Sequence, residues 1–269
     1  MIALTGEPCE DELVVQPVYW APILDHLEDE LEERLAPYRL AWQNTRSFII
    51  SYLGDAIAYQ PIPGERGPEE TLIYKQIHEQ FEHCLTRLAR MAGDKAPLCV
   101  ISHSLGSVIA SNFFHDKQIF RTSSFRSPME RGETLAFFYT LGSPIAIWGL
   151  RYKNFGDPLA VPAPQLKKHH PFIQGEWLNF FNKFDVLSYP IQSINDRYCR
   201  AVTGDVQVNV GHGLFGLTPA AHLYYWTNRR VLGRIAEALA RATIALREEE
   251  GLPPVKKKKT WYSFYKRWF

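Results

Sequence analysis

Ser104 stands in the segment Leu98-Cys-Val-Ile-Ser-His-Ser-Leu-Gly-Ser-Val-Ile-Ala110, where a short apolar run passes directly into a stretch of small and apolar residues. A continuous apolar run of that length is expected of a buried parallel strand. The junction, Ser102-His103-Ser104-Leu105-Gly106, follows the strand-to-helix elbow pattern G-x-S-x-G, with Ser102 in place of the first glycine. Small residues two before and two after the central serine let the strand and helix backbones come together, and serine is small enough for the first position. Such an elbow lifts the Ser104 hydroxyl to the C-terminal edge of a sheet. There the Leu105 N–H, at a helix N-terminus, faces a developing oxyanion. The chemistry these residues suit is nucleophilic attack on an acyl carbonyl. A plain small-residue turn between strand and helix is the competing reading.

The segment resembles the α/β-hydrolase superfamily, on its lipase and esterase side, and the similarity covers most of residues 95–225. The resemblance implies a Ser, Asp or Glu, His order, each partner in a loop after a later strand. For the acid, Trp177-Leu-Asn-Phe-Phe-Asn-Lys-Phe-Asp-Val-Leu-Ser188 offers Asp185 just beyond an apolar run, similar to a strand ending at N-x-x-D. Asp157 lies in a proline-rich excursion, Asp205 opens a strand at its wrong end, and Asp196 in INDRY reads as turn chemistry. For the base, two histidines follow the last strand. His222 in TPAAHLYYW precedes the last helix and is preferred; His212 in VGHG is the named substitute. His103 is expected to project away from the active face, and His169 and His170, beside two lysines, to be solvated.

Thr140-Leu-Gly-Ser-Pro144 resembles the T-x-G-S-P of lipases, and its expected job is a tight turn at the sheet edge. Ser143 is a poor nucleophile candidate, because a proline follows where a helix N–H should donate. The family's second oxyanion donor normally comes from an early strand ending in a His-Gly or similar segment, which has no counterpart here. Only Ala3-Leu-Thr-Gly6 lies upstream. Either the N-terminal part is abbreviated, Thr5 or Gly6 supplies the donor, or the site is incomplete.

These residues need a scaffold, and the periodicity supplies one. Leu13 to Tyr19 reads as a strand, and Pro22 to Leu35 as a helix with Leu24, Leu27, Leu31 and Leu35 on one face. Further helices are expected over 41–59, from Pro68 to Gly93, and from Tyr224 to Glu250. Strands are expected at 98–101, 135–139, 177–181 and 206–210. Strands separated by helices or long connections predict an α/β fold: a mainly parallel sheet with helices on both faces. The polar, proline-bearing stretches 117–134 and 151–175 read as lids or surface excursions.

Composition sets the limits. The chain has 269 residues, 46% hydrophobic and 22% charged, which excludes disorder and fibrous repeats. No run of about 18 apolar residues suggests a membrane span, and the acidic start does not suit a secretory signal. Four scattered cysteines indicate neither a zinc site nor a disulfide scaffold. Residues 251–269 carry six cations and no acid; removing them from the net charge of +1 leaves the body at −5. An acidic body disfavours nucleic acid as a partner. Residues 1–250 are therefore read as one α/β-hydrolase-like domain and 251–269 as a basic-aromatic tail. With six aromatics among its cations, the tail suits an anionic membrane surface.

The expected function is hydrolysis of a carboxylic ester, on a lipid or other acyl ester, by Ser104, His222 and Asp185 with Leu105 N–H as oxyanion donor. No metal or organic cofactor is implied, and the expected location is cytoplasmic or peripheral on a membrane. The alternative is a catalytically weak or inactive hydrolase-like scaffold that binds a lipid or protein partner at a membrane surface.

Overall fold

A computed structural model of the chain describes residues 13–41, 43–59, 70–119, 126–211 and 219–252. Two compact units divide it: Val15–Leu88, and a second made chiefly of the residues from Ala89 onward.

The first unit is helical, with α1 (Pro22–Leu35), α2 (Gln43–Ala58) and most of α3 (Glu70–Ala92). Pro22 sits at the start of α1, where its missing N–H is no loss, and Asp25 and Arg34 suit the two ends of the dipole. Of the leucines on its stripe, Leu24 is buried while Leu27 and Leu31 remain exposed. In α3, Ile77, Phe81, Cys84 and Leu85 are buried. Gly93 ends that helix at φ +97°, donating its N–H to the Ala89 carbonyl. The strand expected over residues 13–19 does not form. Pro17 cannot donate to a ladder, and Val14, Val15 and Tyr19 stay exposed, so nothing rewards pairing there.

The second unit is α/β. Its four strands, β1 (Leu98–His103), β2 (Leu135–Leu141), β3 (Glu176–Phe181) and β4 (Gly204–Gln207), form an all-parallel sheet in the order β1-β2-β3-β4. Crossovers between parallel strands are right-handed, so the connections before and after a strand tend to one face of the sheet, although Leu166 and Ile173 of the β2–β3 connection join the core under the last helix. Those connections include α4 (Leu105–Ile119) after β1 and α5 (Asp196–Ala201) before β4. On that face Trp177 packs against Phe138 and Tyr198 of α5. The opposite face is left for the last helix, α6 (Arg229–Glu249). Its Val231, Ile235, Ala238 and Ala242 share a core with Phe137, Tyr139, Leu141, Leu178 and Phe180. Both sheet faces are buried, as β2 shows with all seven residues inside.

The last helix starts later than its periodicity suggests. Pro219–Thr227 is a 3₁₀ helix, and the Asn228 side chain caps α6 by accepting from the Arg230 and Val231 N–H groups. Gly251 (φ +67°) closes it, with Leu252 N–H bonded back to the Arg247 carbonyl. No helix among the described residues is long and apolar enough to cross a membrane. The tail from residue 253, with His212, Thr5 and Gly6, lies outside the described residues.

Candidate active site

β1 ends at His103, and α4 begins at Leu105. Ser104 between them has φ +52°, a left-handed conformation that strains a non-glycine residue by about 1–3 kcal/mol. Several bonds hold it there. Its N–H donates to the Leu141 carbonyl at 3.0 Å, and its own carbonyl accepts from Ser107 N–H at 2.9 Å and the Ser107 hydroxyl at 2.6 Å. With the Ser107 proton committed, the buried Ser143 hydroxyl must donate to Ser107 Oγ at 2.7 Å; Ser143 Oγ in turn accepts from Ile145 N–H. The T-L-G-S-P segment thus braces the elbow through a one-directional hydroxyl chain, a role beyond the expected tight turn. Leu105 is the first residue of α4, so its N–H has no acceptor within the helix.

Three loops at the C-terminal ends of the strands meet at this point. His222 Nε2 lies 2.7 Å from Ser104 Oγ, and His222 Nδ1 lies 2.8 Å from Asp185 Oδ2. A carboxylate accepts only, so Nδ1 carries the imidazole proton and Nε2 is free to accept from the serine hydroxyl. Asp185 and His222 are buried and Ser104 is half-buried. Asp185 is held on both oxygens. Oδ1 accepts Leu187 N–H at 3.1 Å, and Oδ2 accepts the Tyr225 hydroxyl at 2.9 Å besides His222.

The competing acids are placed elsewhere. Asp205 accepts from the Ile191 and Gln192 N–H groups and from Asn179, Asp157 pairs with Arg197, and Asp196 opens α5.

Two histidine expectations need correction. His103 does not point away from the site. It donates Nε2–H to the His222 carbonyl at 2.7 Å, its ring 4.7 Å from the His222 ring. Burial, then the neighbouring His222, lowers its pKa to about 4, so it stays neutral. His169 and His170 are not solvated either. His169 pairs with Glu133, and the buried His170 bridges Glu249 of α6 and the Lys95 carbonyl.

Sequence reasoning missed Tyr225 and the second task of Gly142. Gly142 has φ +58°, and a Cβ on it would stand 2.8 Å from Tyr225 Cε2, 3.1 Å from His222 Cε1 and 3.2 Å from Asp185 Oδ2. The missing side chain is the space in which His222 and Asp185 meet. Tyr225 had a readable signal. Residues three apart in a 3₁₀ helix eclipse one another, so Tyr225 falls on the His222 side.

A serine in a strained elbow, an imidazole free at the nitrogen facing it and a buried carboxylate behind that imidazole can carry out nucleophilic acyl transfer. Among the described residues no cluster of three His, Cys, Asp or Glu side chains could hold a metal ion. Comparison with protein-family models, with curated protein sequences and with solved structures found no match to this chain.

Proposed function

We propose that the protein is a serine hydrolase of the α/β-hydrolase superfamily, lipase or esterase in type, which cleaves a carboxylic ester through an acyl-enzyme. The observation that carries the reading is the continuous line Ser104 Oγ, His222 Nε2, His222 Nδ1, Asp185 Oδ2, with both links under 3 Å. Ser104 attacks the acyl carbonyl while His222 takes its proton and passes it to the leaving alcohol. Asp185 stabilises the imidazolium that forms, and the Leu105 N–H receives the oxyanion. Water then repeats the sequence on the acyl-enzyme.

An apolar ester is the substrate class favoured. Ile147 and Leu150 after β2, Val186 after β3, and Leu223 and Trp226 after β4 are exposed on the loops that carry the site. Such side chains suit contact with an acyl chain better than with bulk water. The same exposure is what favours the second reading, a lipid-binding scaffold of little activity.

Turnover of p-nitrophenyl butyrate decides between them. The hydrolase reading expects a burst of about one nitrophenolate per chain followed by steady release. Saturable binding of the ester without release supports the scaffold.

The basic-aromatic tail is proposed to add affinity for an anionic membrane surface. Deleting residues 255–269 then weakens sedimentation with phosphatidylserine liposomes, more so at low salt. Equal binding with and without the tail ends that proposal.

A further inference from the structure

We propose that Tyr225 is a positioning residue for the acid, its hydroxyl holding Asp185 and setting how strongly that carboxylate draws on the His222 proton. The proposal rests on the serine-hydrolase reading.

The direction of the hydrogen bonds carries it. The Tyr225 oxygen accepts Asn182 N–H at 2.9 Å, so its own proton is directed at Asp185 Oδ2, also at 2.9 Å. That is the oxygen on which His222 Nδ1–H rests at 2.8 Å. Two donors therefore compete for one carboxylate oxygen. Charge drawn toward the phenol is withdrawn from the imidazolium, which weakens the hold of Asp185 on the His222 proton. The phenol cannot lose this role by ionising. Burial, and then the Asp185 charge, push it far above the usual tyrosine range.

The surroundings leave few other sources of such an effect. His222 is faced by Asp185 from the loop after β3, by Ser104 from the elbow and by the neutral His103 from the end of β1. Asp185 is faced by His222, Tyr225 and the Leu187 N–H. Tyr225 is fully buried, and its ring occupies the space that Gly142 leaves open. The geometry is thus specific to a phenol at this position.

The experiment compares wild type with Tyr225→Phe and with 3-fluorotyrosine incorporated at position 225. The fluorinated phenol is more acidic and a stronger donor, while both of its hydrogen bonds are kept. The readouts are the NMR titration of the His222 ring and the pH profile of kcat/KM on a soluble p-nitrophenyl ester. Tyr225→Phe is expected to move the acid limb and the His222 midpoint up by about half a pH unit, with kcat several-fold lower. Fluorotyrosine is expected to move both down. Opposite shifts are not a result that simple loss of packing gives. Unmoved midpoints, or shifts in the same direction, overturn the proposal. If Tyr225→Phe fails to fold because Asn182 N–H loses its acceptor, the fluorotyrosine protein decides alone. If the wild type turns over no ester, the hydrolase reading fails while the NMR titration still judges Tyr225.

Discussion

His103 donates its Nε2–H to the main-chain carbonyl of His222 at 2.7 Å, so the residue before Ser104 holds the backbone of His222. The two rings lie 4.7 Å apart, and His103 remains neutral down to about pH 4. The contact therefore persists unchanged through the range in which an imidazole base works.

Removing it should let the base drift. His103→Ala is expected to lower kcat about tenfold with little change in KM, since a misplaced base affects the chemical step more than binding. His103→Gln keeps a side-chain donor and should recover most of the loss. Steady-state kinetics on a soluble ester checks this. Equal damage from both substitutions would mean that the ring matters for packing and not as a donor.

Gly142 gives a sharper test of the packing. Gly142→Ala adds a methyl group 2.8 Å from the Tyr225 ring and 3.1 Å from the His222 ring, on a backbone at φ +58°. Strain and crowding together should cost about 2–4 kcal/mol of stability. Activity should fall about a hundredfold as the base and acid are pushed apart. Urea denaturation measures the first and ester turnover the second. An active, equally stable Gly142→Ala protein contradicts the described meeting of these side chains.

Much of the fold and of the candidate site was legible in the sequence. The apolar run 98–101, the small residues around Ser104 and the positions of Asp185 and His222 after later strands are local patterns, and the structure brings those three side chains together. Tyr225, Gly142 and the Ser107–Ser143 pair were not read, because their roles depend on approaches between segments about 36–83 positions apart. Periodicity does not encode such distances. Residues 13–19 fail for the opposite reason. Their apolar, β-branched residues are strand-like, but Pro17 and the exposed neighbours leave them without a partner. The start of α6 was read too early because Tyr224 and Tyr225 continue an apolar pattern across the Asn228 cap.

The helical unit has its own pH dependence. Burial first, then the charge and hydrogen bond of Glu28 and the charge of Asp25, raise the Asp55 carboxyl from 3.8 to about 7. Folded Asp55 thus keeps a proton that the unfolded chain releases near its ordinary value. The folded state binds more protons between these limits, so this group's contribution to stability falls as pH rises from about 4 to about 7. Asp55→Asn should flatten that decline and raise the melting temperature at pH 7.5. Melting curves of the two proteins across pH 4–8 make the comparison; parallel profiles would show that Asp55 does not hold the proton.

Whether Ser104 is an activated nucleophile is measured most directly by intact mass after treatment with a fluorophosphonate. An activated serine is phosphonylated; an ordinary hydroxyl is not. One adduct per chain is expected, mapped by peptide digestion to Ser104. None is expected on folded Ser104→Ala, and labelling is expected to slow at least a thousandfold in His222→Ala. No adduct on the folded wild type, or an adduct on a residue other than Ser104, contradicts an activated Ser104.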